Sequence, residues 1–586
     1  MRYIIQRGRT GRALVVLSAL LFAASGCQEL QVDNLVDPDR GNIFANPEDV
    51  QTLIGGAFLP NLWGAMTEST VGGFALAGLY GIFPGQASEL SSTLASGLSA
   101  QWYLDMVEPR QPHQNASVIA GTIGPWGPRT FWAHLGAAGA TPYDGLFLLE
   151  NGIVIEEDGV DVTARARAFA KLVQGWAWGY GALMFDRINI VPETIDLASL
   201  SFEELSALPI ASLKPYDEAI LDALAAIDEA IAVAEQNPSI VNFPQEGAGG
   251  SPWFGTATPV SNAQFIQIAN TLAARLLVLN ARNPEEREDV DWARVLQYTA
   301  KGIQNSANDL EVLNGPGGRA HIFLGRAQGN SGGTITFGAW RWDHRAIGPA
   351  DQSGNYQNWI AAEPAARNKF LITTPDRRIT GPTPDSHGSY TRYRSVDTGF
   401  IVSRGTYFLG HYQFSRHAIE NNLPENGSDP GSTIGTHTFV SADENRLLRA
   451  EAIIRTQGVT QEAVDLINVT RTRQQTLQDG SVHPGLPPLT VAGGVPTVNG
   501  ACVPRMDNGE CGTVRSALRY ERMIELAVTD VVRGFADSRG FGLHPDGTLE
   551  HYPIPGNVIE QYELPEGEYT YGGVGTEWGA VYAPWN

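Results

Sequence analysis

The chain has 586 residues, 43% of them hydrophobic, which against roughly 100–200 residues per domain leaves room for several domains or one large one with a sizeable core. Acids outnumber bases 63 to 40, giving a formal charge of -23, and no Lys/Arg cluster follows the first dozen residues, which disfavours a general nucleic-acid binder. Aromatics at 9% exclude disorder along the whole chain, and 65 glycines, about 11% against the usual ~7%, point to long irregular loops.

The chain opens with Arg2, Arg7, Arg9 and Arg12 and no acid, then an apolar run from Ala13 to Ala24, then Ser25-Gly26-Cys27. A run of this length falls short of the ~20 residues that span a bilayer, and residues 1–26 are expected to be a secretory signal peptide. Small residues before Cys27 resemble the lipobox of bacterial lipoproteins, with Ala24 where that motif usually has Leu. Acylated Cys27 would then become the first mature residue and anchor the chain stably in a membrane, because more than one acyl chain is added. Gln28 rather than Asp after the Cys resembles an outer-membrane address.

From there, helical periodicity dominates. In 163–186 the residues Phe169, Val173, Trp176, Tyr180 and Leu183 step by four and three, predicting a buried helix. Tyr216, Ile220, Ala223, Ile227, Ala230 and Ala234 repeat the stepping after Pro215, a favourable helix-start residue. Ser261 with Gln264 reads as a capping box before Phe265, Ile268, Leu272, Leu276 and Leu279, and Asn283-Pro284 stops that helix. Asp291 is expected to cap 292–303. The stretch 305–440 has no sustained period, is rich in Gly, Pro and aromatics, and reads as loops; such a length is usually functional or conceals short strands. Ser441 with Glu444 opens another helix through Leu447, Leu448 and Ile454, Gly458 ends it, and Thr460 starts the next through Ala463 and Ile467. A last helix is predicted over 514–533 through Ala517, Tyr520, Ile524, Ala527 and Val531. Paired amphipathic helices of this kind, in 163–304 and 441–534, predict an all-α scaffold of divergent tetratricopeptide-like pairs without a strict repeat.

Of the three cysteines, Cys27 is assigned to the lipid, which leaves Cys502 and Cys511 as one disulfide in an exported chain. Closing so short a loop contributes roughly 2.5–3 kcal/mol by the loop-entropy relation. A metal site lacks further ligands nearby, no two of the 11 His lie three or four apart, and no cofactor is expected. Two enzyme patterns fail on context. Gly329-Asn-Ser331-Gly-Gly333 has no apolar strand leading in and no helix following. Gly315-Pro-Gly317-Gly-Arg-Ala320 lacks a βαβ unit and a distal acid.

Several segments together resemble the SusD/RagB family of bacterial outer-membrane lipoproteins. They are Cys27-Gln-Glu-Leu-Gln-Val with Pro38-Asp39; Arg167-Ala-Phe-Ala-Lys-Leu-Val-Gln-Gly175; Leu447-Leu448-Arg449-Ala450-Glu451-Ala452 running on to Asn468; Arg519-Tyr520-Glu521-Arg522-Met-Ile-Glu525 running on to Phe535-Ala-Asp537-Ser-Arg539-Gly540; and Tyr552-Pro553-Ile554-Pro555. Their order and span carry the resemblance, while Ser538-Arg539-Gly540-Phe541 departs from a pattern that often has two adjacent Arg and a Trp. The resemblance implies one SusD-like domain over 27–586, lipid-anchored and surface-exposed on the outer membrane. It also implies that the protein binds oligosaccharides or other oligomeric nutrients for a TonB-dependent, SusC-like transporter and is no enzyme. The competing classes are an exported α-helical hydrolase and a non-binding helical-repeat scaffold.

A neutral sugar needs flat apolar faces and groups that bond hydroxyls. The aromatic clusters that fit are Trp340, Trp342, Tyr356 and Trp359, then Tyr390, Tyr393, Tyr407 and Tyr412, with Trp102 and Tyr103 upstream. Trp340, Trp342 and Trp359 are expected to form a binding platform, whereas Trp176, on the helical stripe, is assigned to the core.

Overall fold

The computed structural model describes residues 47–63, 90–92, 128–244, 253–314, 340–363, 366–395, 409–422, 435–544, 548, 550–552 and 554–565. The leader and Cys27 lie outside them. The helices of eight or more residues are α1 (Pro47–Gly55), α2 (Pro128–Glu150), α3 (Thr163–Met184), α4 (Phe202–Ala211), α5 (Tyr216–Gln236), α6 (Asn262–Leu279), α7 (Trp292–Lys301), α8 (Ala442–Gln457), α9 (Gln461–Arg471), α10 (Val514–Glu525) and α11 (Val531–Gly540). None of the described helices is long and apolar enough to cross a membrane.

The predicted cap residues accept at their helix starts, but the reciprocal half of the two predicted capping boxes is missing, because Gln264 turns its side chain to the Asn308 carbonyl and Glu444 to Arg275. Ser261 Oγ accepts from Gln264 N, Asp291 from Arg294 N, Ser441 from Glu444 N and Thr460 from Ala463 N, each satisfying a donor the first turn leaves open. Gly458 ends α8 with φ +79°, a conformation a Cβ would strain. Each helix then packs on the next: α1 on α2, α2 on α3, α3 on α5, α5 on α6, α6 on α7, α7 on α8, α8 on α9 and α9 on α10. This is nearest-neighbour stacking of the tetratricopeptide kind. The α3–α5 contact is close because Gly175 has no side chain; a Cβ there would lie 2.6 Å from the Ala223 carbonyl oxygen.

The predicted 514–533 helix is two. α10 stops at Glu525, Val528 takes φ +58°, and Asp530 restarts the chain by accepting from Val532 N. Arg533 donates from Nε and Nη2 to the Leu526 carbonyl at the break, to which Thr529 also donates from its backbone N and its hydroxyl. The apolar stepping continues across the break, so periodicity could not reveal it. α1, α2 and α4 also lie outside the predicted helices, although Ser201 and Glu204 form a complete capping box at the start of α4. α2 carries Gly136, Gly139, Gly145 and Pro142 and is held by packing rather than propensity.

The 305–440 stretch contains strands where loops were expected. β1 (Leu90–Ser92), β3 (Trp340–Asp343), β5 (Leu409–Phe414) and β4 (Thr391–Tyr393) form an antiparallel sheet in that order, with Ser92 opposite Trp340 and Tyr393 opposite Tyr412. β2 (Leu310–Asn314) pairs antiparallel with β6 (Gly435–Val440). β2 ends immediately before Gly315 in sequence, so a strand does precede that glycine-rich segment, but its partner among the described residues is antiparallel. Because α7 packs on α8, the whole stretch is an insertion that leaves the helical stack continuous. One core unites them: Trp176 lies 5.3 Å from Phe58 and stacks at 5.2 Å on Phe439 of β6. Cys502 and Cys511 are disulfide-bonded, closing a loop beside the smaller core of α8, α9 and α10.

Truncating Trp176 leaves a void that these rings cannot fill. Trp176→Ala should cost roughly 3–5 kcal/mol, read as a lower urea midpoint with the slope unchanged.

Candidate functional site

The aromatics singled out in the sequence divide on inspection. Trp342, Tyr356, Trp359, Tyr390 and Tyr412 are all at least nine-tenths buried. Trp342 meets Phe414 edge-on at 5.3 Å. Trp359 stacks near Tyr356, contacts His344, and carries the Arg367 guanidinium over its ring at 4.7 Å. The expected Trp340–Trp342–Trp359 platform is therefore corrected for two members, which pack inward as the insertion's own core. A 136-residue insertion has to bury apolar surface somewhere, and its largest rings supply it. His344 shares this core, and burial holds its imidazole down to about 3, neutral at any physiological pH. Tyr393 is partly buried against the core. Trp340 begins β3. Trp102, Tyr103 and Tyr407 lie outside the described residues.

Tyr390 leads to the insertion's open concavity. A cleft of about 580 Å³ lies between the Ser389–Arg392 segment, the short helix Arg416–Glu420 and the hairpin around Gln475–Gly480. Its wall is polar. Ser389 Oγ donates to Gln475 Oε1 at 2.6 Å, Arg392 Nε to Gln478 Oε1 at 3.3 Å, and Gln478 Nε2 to the carbonyls of Gly388 and Thr391. The Arg416 guanidinium covers the Tyr390 ring at 4.4 Å. Tyr390 donates its hydroxyl to Glu525 at 2.9 Å, and burial, first among the causes, pushes its ionisation far above the usual range, so it stays a donor. Arg473, 36% exposed, pairs with Glu525 at 2.7 Å and Asp443 at 2.6 Å. Arg416 pairs with Glu420 at 2.8 Å. These carboxylates offset the cationic charge of the wall, leaving hydrogen-bonding groups that suit a neutral, hydroxyl-rich ligand better than an anion. Among the described residues no group of three His, Cys, Asp or Glu is placed to hold a metal ion.

Only Tyr390 of these residues was a sequence candidate. The others carry no signal: Gln475, Gln478 and Arg473 come from a loop after α9, some 80 residues beyond Tyr390, and meet it only in the fold.

No protein-family model matches the sequence, and no curated protein is similar to it in sequence. Its fold does have solved counterparts. A SusD superfamily protein from Bacteroides vulgatus ATCC 8482 superposes with a TM-score of 0.51 at 12% identity, covering 90% of this chain and 99% of that one. A SusD-like carbohydrate-binding protein from Bacteroides fragilis NCTC 9343 gives 0.52 at 13% identity over 91% and 94% of the two chains. The chain thus has the SusD-like fold, a helical tetratricopeptide-like scaffold carrying a loop-rich insertion.

Because Trp359 is core, Trp359→Ala should lower stability by roughly 3–5 kcal/mol and the melting temperature with it. An unchanged melting curve would return that ring to the ligand surface.

Proposed function

We propose that the protein is a surface lipoprotein that binds oligosaccharides through its insertion and passes them to a TonB-dependent outer-membrane transporter. The observation that carries this reading is the open cleft at Tyr390, lined by amide, hydroxyl and guanidinium groups on a scaffold of SusD-like fold. Its size suits a few sugar rings, and its charges are already paired. Binding without chemistry is the simpler use of this wall, since its carboxylates serve as partners for arginines rather than as a free acid–base pair. Trp102, Tyr103, Trp340 and Tyr407 remain proposed as aromatic faces that stack on sugar rings. Acylated Cys27 tethers the mature chain, 27–586, as a single unit on the cell surface.

Affinity electrophoresis of the mature chain against a panel of neutral polysaccharides tests this. Retention is expected for at least one glycan, with little change between low and high salt, because a neutral ligand leaves no ion pairs to screen. Gln478→Ala, which gives up the bonds to Arg392, Gly388 and Thr391 that shape this wall, should weaken it about three- to tenfold, with the melting temperature lowered only slightly because the side chain is exposed. Release of smaller sugars from the panel would replace this reading with that of an exported hydrolase.

Anchoring is tested separately. Cys27→Ser should move the protein from the membrane pellet to the soluble fraction, and a variant that still pellets would require another anchor.

A further inference from the structure

A second concavity shares no residue with the cleft. It lies between α2, α3 and the 188–212 segment, closed on one side by the short helix Gly556–Tyr562, and measures about 360 Å³. That is within the range of small-molecule sites. Its character is opposite to that of the cleft: rings of Trp132, Tyr143 and Trp178 line it, and apolar side chains make up most of the rest.

The cavity exists because α2 turns small residues toward it. Gly139 packs against the Trp178 indole, where a Cβ would stand 3.2 Å from Nε1, and a Cβ on Gly136 would meet nothing within 4 Å. A helix this poor in propensity keeps glycines facing an aromatic hollow at some cost in stability.

Its hydrogen-bonding side chains are committed apart from indole N–H groups. Asn189 donates from Nδ2 to Pro209 O at 2.6 Å and to Ser212 Oγ at 3.0 Å, and accepts from the Tyr562 hydroxyl at 3.2 Å. Tyr143 donates its hydroxyl to Ile195 O and accepts from Leu197 N at 3.3 Å. Trp178, 92% buried, makes no hydrogen bond through Nε1. Asp144 stands in the same wall and disfavours an anion.

We propose that this cavity is a second binding site, for a compact, neutral, flat and mostly apolar molecule with one oxygen acceptor. The molecule would lie among the Trp132, Tyr143 and Trp178 rings and accept from Trp178 Nε1. A glycan chain fits it poorly, because hydroxyls placed against these walls would lose water without gaining partners.

The neutral naphthyl ketone fluorophore prodan has this shape and chemistry. Titrated into the mature chain it should bind saturably at one site, shift its emission to the blue and quench tryptophan fluorescence. Trp178→Phe keeps a ring but removes the donor, and should weaken binding about three- to tenfold. Gly139→Leu fills the cavity and should abolish saturable binding. Should that variant fail to fold, Ala140→Phe at the exposed mouth decides instead, with the same loss expected. Polysaccharide retention, measured on each variant, should be unchanged. The proposal is overturned by non-saturable prodan binding, by full-strength binding in the filled variants, or by loss of retention together with prodan, which would merge the two sites.

Discussion

Six arginines with almost no solvent contact hold this fold in register, four of them through carboxylates that come mostly from helices far apart in sequence. Arg275 of α6 makes a two-pronged contact with Glu444 of α8 and bonds Asp530, the cap of α11, at 2.9 Å. Arg287 reaches Glu451 of α8 at 2.7 Å and Asp537 of α11 at 2.8 Å, while Arg522 of α10 shares both acids. Arg378, from the insertion, is forked between Asp376 and Glu521, and Tyr520 donates to the same Asp376 at 2.7 Å. Arg282 and Arg539 have no such acid. They cap helix ends instead, Arg282 on Leu183 and Phe185 carbonyls, Arg539 on Leu183 and Leu279. Burial alone draws Arg282 down to about 10, still charged at neutral pH. Apolar residues of the same volume could stabilise as well. Once the charges are inside, however, losing any one acid strands a guanidinium at roughly 3–5 kcal/mol. The network therefore fixes which helix faces meet, and with them where the insertion is attached.

This explains what the family-like segments are. Arg167 to Gly175 is the central turn of α3. Glu451, Glu521, Arg522, Glu525, Asp537 and Arg539 are the ionic network and the helix-end caps. Tyr552 bonds back to the Met184 carbonyl where α3 stops. The described motifs are those that close the scaffold, and most of their residues face inward. A resemblance resting on them speaks to fold, and the same fold at 12–13% identity in solved structures shows how little else needs to be kept.

Legibility elsewhere followed the range of the interaction that decides each element. Caps such as Ser441 and Asp291 and the Phe169–Leu183 stripe are local, so they were read correctly from spacing alone. α2 is decided by what it packs on, and its glycines and Pro142 argued against it. Glu444 shows the limit within one residue. It sits at the capping-box position, and Ser441 does receive its N–H, yet its carboxylate goes to Arg275, 169 residues away in sequence. The insertion aromatics failed for the same reason. Trp342 and Trp359 have the composition of a sugar platform and the surroundings of a core, and only tertiary packing separates the two.

The two concavities follow from this division of labour. Since the arginine network and the helix stack settle the fold without help from the insertion's surface, Ser389, Arg392, Gln475 and Gln478 can be hydrogen-bonding groups that close no core. The cavity beside α2 is the complement. There the stack itself leaves space, because Gly136 and Gly139 stand where a larger residue would have filled the gap over Trp178. A polar cleft built from loops reads hydroxyls and tolerates variation in its walls. An apolar cavity built from helices reads shape, and its dimensions change only if the helix packing does. The shapes of the two concavities are thus set by different parts of the structure.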